Sequence, residues 1–81
     1  MKSSEDDSLQ EQKRQLEYLR AQVNAAKIAY LNRTPFGSMT EVSYDDLKAI
    51  AQEFIRASNN YQKRKFGSVQ VKLSIAKLLR H

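Results

Sequence analysis

There is no cysteine in this chain, a single proline, a single histidine and only two glycines among 81 residues. Each scarcity closes a class of function. Without cysteine there is no disulfide framework and no thiolate metal cluster, so the small secreted scaffold stapled by cross-links is not a model for it. The lone histidine, His81, is the last residue, where a fixed hydrogen-bonded geometry is hard to maintain. Gly37 and Gly67 stand 30 positions apart, which leaves no glycine-rich loop to cradle a phosphate. Asp45 and Asp46 are adjacent and therefore diverge by about 100° on a helix; they suit a helix N-terminus better than a shared metal or proton. No metal-ligand spacing occurs. The expectation is a chain that is not an enzyme, uses no cofactor and takes no small-molecule substrate.

Long apolar runs are missing as well. Nothing approaches the roughly 20 residues of a membrane span, and the first seven residues, Met1 to Asp7, are acidic where a signal peptide would be cationic and then apolar. These features point to an intracellular protein, cytoplasmic or nuclear. Ser3, Ser4 and Ser8 beside Glu5-Asp6-Asp7 resemble acidic-directed phosphorylation sites, and Thr34-Pro35 a proline-directed one, which fits a regulatory setting.

What the chain does contain is helix-forming sequence with an apolar stripe. Leu9, Leu16, Val23 and Tyr30 recur one heptad apart, and Leu19 and Ala26 fill the intervening positions. That spacing places six side chains on one side of a helix running from about Leu9 to Asn32, in the manner of a coiled coil. From Tyr18 onward Ala21, Ala25, Ile28 and Ala29 add a second face of mostly small residues, and the polar arc narrows to Glu17, Arg20, Asn24 and Lys27. A helix apolar on most sides is expected to be covered on most sides. Residues 1–8 hold nothing to bury and read as a disordered acidic tail.

Thr34-Pro35 and Gly37-Ser38 break the first helix. Gly37-Ser38-Met39 reads as an ordinary turn, with a junction between two joined segments as the alternative. The next helix, near 43–65, has a strong start. Ser43 is the N-cap, Asp46 stands three residues on, Asp45 adds negative charge, and Val42 and Leu47 are spaced for a hydrophobic staple. Tyr44, Leu47, Ile50, Ala51, Phe54, Ile55, Ala57 and Tyr61 line its apolar side; Leu47, Ile50, Phe54 and Tyr61 are the expected core.

Gly67 is spaced as a C-terminal stop and Ser68 as a new cap. Residues 69–75 alternate with period two, a strand pattern, yet no other segment offers a partner strand. A third helix near 68–80 is preferred, with Leu78 and Leu79 on its apolar side. The fold class expected is all-α: a three-helix arrangement, a long N-terminal helix plus a helical hairpin, in one domain spanning residues 9–81.

Charge is uneven. Net charge is +5; residues 1–38 hold six cations against five carboxylates, residues 39–81 eight against four. A small core without cross-links has little stability margin, so a partner protein or a second copy is a natural source of more. The sequence therefore implies a non-catalytic helical protein–protein interaction module, for oligomerisation or docking, with Leu9, Leu16, Leu19, Val23, Leu78 and Leu79 as the contact residues. The alternative is a small basic nucleic-acid-binding domain using Lys63, Arg64, Lys65, Lys72, Lys77 and Arg80. It lacks the short glycine-containing turn and base-reading second helix of a helix-turn-helix.

Overall fold

The computed structural model describes residues 4–38 and 40–80, with side chains from Asp7 onward. Met1 to Ser3, Met39 and His81 lie outside the described residues, and with them the first part of the expected tail, one residue of the possible 37–39 junction and the lone histidine. Among the described residues three helices form: α1 (Ser4–Asn32), α2 (Tyr44–Phe66) and a short α3 (Ile75–Leu79). The fold is all-α. None of the described helices is long and apolar enough to cross a membrane.

α1 starts earlier than its apolar stripe. Residues 4–8, expected as tail, form its first turns, and their sequence is of the acidic kind that a helix N-terminus favours. Its other end closes on Arg33, which adopts the left-handed conformation (φ 55°). The Thr34 amide donates to the Ala29 carbonyl at 3.0 Å and the Arg33 amide to the Tyr30 carbonyl at 3.4 Å, the paired bonds of a Schellman motif. Glycine normally fills that position; arginine holds it here at a conformational cost.

α2 is capped as its sequence prescribes. Ser43 Oγ accepts from the Asp46 amide at 3.1 Å, and the Ser43 amide donates back to Asp46 Oδ2 at 3.3 Å. Val42 and Leu47 flank this box and are buried in the same cluster, as a hydrophobic staple requires. Gly67 ends the helix with φ 82°, its amide donating to the Lys63 carbonyl at 2.8 Å.

α1 and α2 pack antiparallel. At one end Arg64 Nη1 donates to Gln12 Oε1 at 3.1 Å; at the other, Ala26 and Ala29 pack with Val42 and Leu47. Buried alanines at 26, 29 and 51 draw the backbones together, and Leu47, 2% exposed, is the largest side chain fully enclosed. A second cluster of Val23, Ala51 and Phe54 continues the seam, and Ile50 and Leu79 touch both. Tyr61, expected in the core, is half-buried and belongs to neither cluster.

The segment after Gly67 departs most from expectation. The helix anticipated over 68–80 is confined to 75–79, and its N-cap is Ser74, whose Oγ accepts from the Lys77 amide at 3.2 Å, not Ser68. The physical reason is Gln62. This residue is 7% exposed, and its Oε1 accepts from the backbone amides of Gln70 at 2.7 Å and Val71 at 2.6 Å. Its Nε2 donates to the Val71 carbonyl at 2.9 Å and to Ser58 Oγ at 3.2 Å. Every hydrogen-bonding group of one side-chain amide is thereby used, and the backbone of 70–71 is satisfied without helix or sheet. The period-two residues find a buried glutamine where a strand would have found a neighbouring strand. The chain then returns along the hairpin as a strap, laying Leu73, Ile75, Leu78 and Leu79 over the seam. Lys27 Nζ donates to the Arg80 carbonyl where the strap reaches α1.

Candidate interaction surface

The stripe that announced contact faces mostly inward. Val23 is 2% exposed and part of the core; Leu16, Leu19, Leu78 and Leu79 are half-buried against the Val23–Ala51–Phe54 cluster. Leu9 is half-buried and outside both clusters. The apolar surplus expected at these six positions is largely consumed, because the antiparallel α2 covers one flank of the stripe and the strap covers the other. What remains is the question of which apolar groups still meet water.

Three places answer it. The first is the back of α1. Tyr18 is 64% exposed and Ile28 58%, and Ala21 and Ala25 between them are exposed too. Intervals of three, four and three residues set the four along one face of the helix, with Tyr18 at the edge nearest α2, where it lines a shallow groove with Leu19 and Glu53. The second lies where the helices' other ends meet the strap. Tyr30, Leu31, Tyr44, Leu79, Lys27 and Arg80 surround an open groove of about 410 Å³. The Tyr30 and Tyr44 rings stand 6.0 Å apart there, and Lys48 Nζ lies 5.4 Å from the Tyr44 ring centre. The third is the tip formed by Phe66 and Val71, both more than half exposed.

No protein-family model matches this chain, and no curated protein or solved structure matches it either. The residues and their geometry carry the functional argument alone.

The six cations of the nucleic-acid alternative spread from the last turn of α2 along the strap, with Lys77 exposed on α3, to Arg80. Lys63, Arg64 and Lys65 are exposed on the last turn of α2, with Lys72 exposed on the strap. Lys65 Nζ sits 5.7 Å from the Tyr61 ring centre and 5.4 Å from that of Phe66, so those rings carry a cation already. Arg64 is bonded to Gln12, whereas Arg80 joins α1 at Lys27. Fifteen residues of helix separate those two anchor points, about 22 Å. Asp7 and Glu11 are exposed near Gln12 on α1, so carboxylates share the end of the molecule that holds the Lys63–Lys65 cluster. The cluster also lies at the negative pole of α2, which accounts for its cations without a ligand.

The exposed line on α1 was partly visible in the sequence as the second, small-residue face. What the sequence did not reveal was which of the two apolar arcs would be taken up inside. Among the described residues, no three of the carboxylate, histidine or cysteine side chains gather closely enough to hold a metal ion.

Proposed function

We propose that this protein is a non-catalytic helical module that binds another protein chain through the outer face of α1. One observation carries the reading: Tyr18 and Ile28, two large apolar side chains, stand mostly in water on either side of the exposed Ala21 and Ala25. Scattered single apolar residues on a surface are ordinary; an aligned row with small residues at its centre offers a partner helix both apolar anchors and close backbone approach. The rest of the molecule supports that face rather than competing with it. The seam is filled, α2 is capped at both ends, and the strap is fastened by Gln62, so α1 is presented as a rigid rod. Against the nucleic-acid alternative, Lys65 already lies against the Tyr61 and Phe66 rings and Arg64 is bonded to Gln12, which favours the contact reading.

A photo-crosslinking amino acid placed at Ala25 tests this reading, with the same group at Ser68 as the control. The expected result is a discrete adduct from Ala25 with a protein chain, lost on Ile28→Glu, and none from Ser68. Equal labelling from both positions, or from neither, would remove the outer face of α1 as a dedicated contact.

A further inference from the structure

We infer that Ser68 is the acceptor of a basophilic protein kinase, one that reads cations just before the residue it phosphorylates. The inference is independent of the outer face of α1. A crosslinking group in place of Ser68 removes the acceptor hydroxyl, so the two readings are tested apart.

Order along the chain comes first. Lys63, Arg64 and Lys65 stand five, four and three positions before Ser68, and the apolar Val69 follows it. No other serine or threonine has more than one cation in the five preceding positions. No carboxylate occurs after Glu53. An acidic substrate cleft therefore gains three attractions from this segment and meets no repulsion within it. The negative pole of α2 accounts for cations in its last turn; it does not account for a serine placed just beyond them.

The structure leaves this segment open. Lys63 through Ser68 are all exposed, between the buried Gln62 and the half-buried Val69. Gly67, at φ 82°, turns the chain out of the helix and puts Ser68 in a loop. Other serines are engaged in the fold. Ser43 and Ser74 hold the amides of Asp46 and Lys77 as caps, and Ser58 is buried. Ser68 Oγ accepts from the Gln70 side-chain amide at 2.7 Å, and Gln70 is itself exposed. Among the described residues the ion pairs are Arg14–Glu11 and Lys48–Asp45, so no carboxylate holds the cluster.

A kinase takes its acceptor segment in extended form, so order in the chain matters more than place on the folded surface. Drawing out the last turn of α2 gives up the Gly67–Lys63 bond, the Arg64–Gln12 bond and the contacts of Lys65 with the Tyr61 and Phe66 rings. All of these lie at the end of the helix, where opening is least costly. The clusters around Leu47 and Phe54 are untouched.

In the reaction Ser68 Oγ attacks the γ-phosphorus of ATP. The bond from that phosphorus to the bridging oxygen breaks, ADP leaves, and the hydroxyl proton passes to a carboxylate of the kinase. The phosphoserine carries about two negative charges, so residues 63–68 fall from +3 to about +1.

The experiment incubates the full chain with γ-labelled ATP and the catalytic subunit of cyclic-AMP-dependent protein kinase. Labelling is expected at Ser68 by tandem mass spectrometry, lost in Ser68→Ala and kept in Ser74→Ala. With Lys63, Arg64 and Lys65 all changed to alanine, kcat/KM falls at least about tenfold while far-UV circular dichroism keeps its helix signal. Leu47→Ala loosens the seam without touching the segment, and should change the labelling rate less than about threefold. A larger rise, in step with the unfolded population, would place the reaction on the unfolded chain and overturn the open site. No labelling of the wild type, labelling undiminished in Ser68→Ala, or indifference to the three alanines would overturn Ser68 as the acceptor.

Discussion

Replacing Gln62 tests how this small fold is held together. In the folded chain the Gln62 amide makes four hydrogen bonds, three to the backbone of Gln70 and Val71 and one to Ser58. Removing them with Gln62→Leu keeps the side-chain volume and changes only the polar chemistry. A net value of about 0.5–1.5 kcal/mol per bond sets a ceiling near 6 kcal/mol. Two corrections lower it. Gln70 and Val71 are exposed, so their released backbone groups regain water, and leucine in place of an amide gains some burial. The expected loss is about 2 kcal/mol, a large fraction of the stability open to an 81-residue chain without cross-links.

Urea unfolding measures that total, and native-state hydrogen exchange locates it. In the wild-type chain the amides of Gln70 and Val71 are slow to exchange despite lying outside any helix. In the variant both exchange close to the unprotected rate, while the α1–α2 seam around Ala26, Leu47 and Ala51 keeps most of its protection. A Gln62→Leu protein as stable as the wild type, with Gln70 and Val71 still protected, would refute the reasoning. The strap would then be held by its apolar contacts alone.

Three other substitutions have defined outcomes. Arg33→Gly relieves the left-handed backbone at the end of α1, and urea unfolding should show a gain of about 0.5–1 kcal/mol; a loss would mean the arginine side chain does unrecognised work there. Ser43→Ala removes one bond of the capping box and leaves the Asp46 backbone amide without its acceptor, while the residue-43 amide still donates to the Asp46 carboxylate, for an expected loss of about 1 kcal/mol in the same assay. Leu47→Ala empties the most enclosed large position between Ala26, Ala29 and Val42, and should cost about 3 kcal/mol, enough to leave a measurable unfolded population at 37 °C by circular dichroism.

How much of this was legible in the sequence depended on whether the deciding partner was near in the chain. The capping box of α2, the staple of Val42 and Leu47, the stop at Gly67 and the break after Asn32 are local, set by residues within five positions of one another, and the structure has each of them. The strap is not local. Ser68 looks like a cap only while Gln62 is overlooked, and a glutamine eight positions away that binds two backbone amides leaves no mark in the hydrophobic pattern. The start of α1 was missed because polar residues give no periodicity, although three acids at a helix N-terminus are a favourable signal in their own right. The candidate surface was obscured for a different reason. α1 has two apolar arcs, and the heptad-spaced leucines made the stronger claim to outward contact; being the better-packing arc, they were the ones α2 and the strap covered. The weaker arc, Tyr18 to Ile28, was left outside.

The account stands or falls on that division of α1. Heteronuclear NMR with a soluble paramagnetic probe reads it residue by residue. Strong relaxation enhancement at Tyr18, Ala21, Ala25 and Ile28, with Leu16, Val23, Leu78 and Leu79 shielded, is the predicted result. Enhancement concentrated at those four seam residues instead would show that the hairpin opens, and would contradict it.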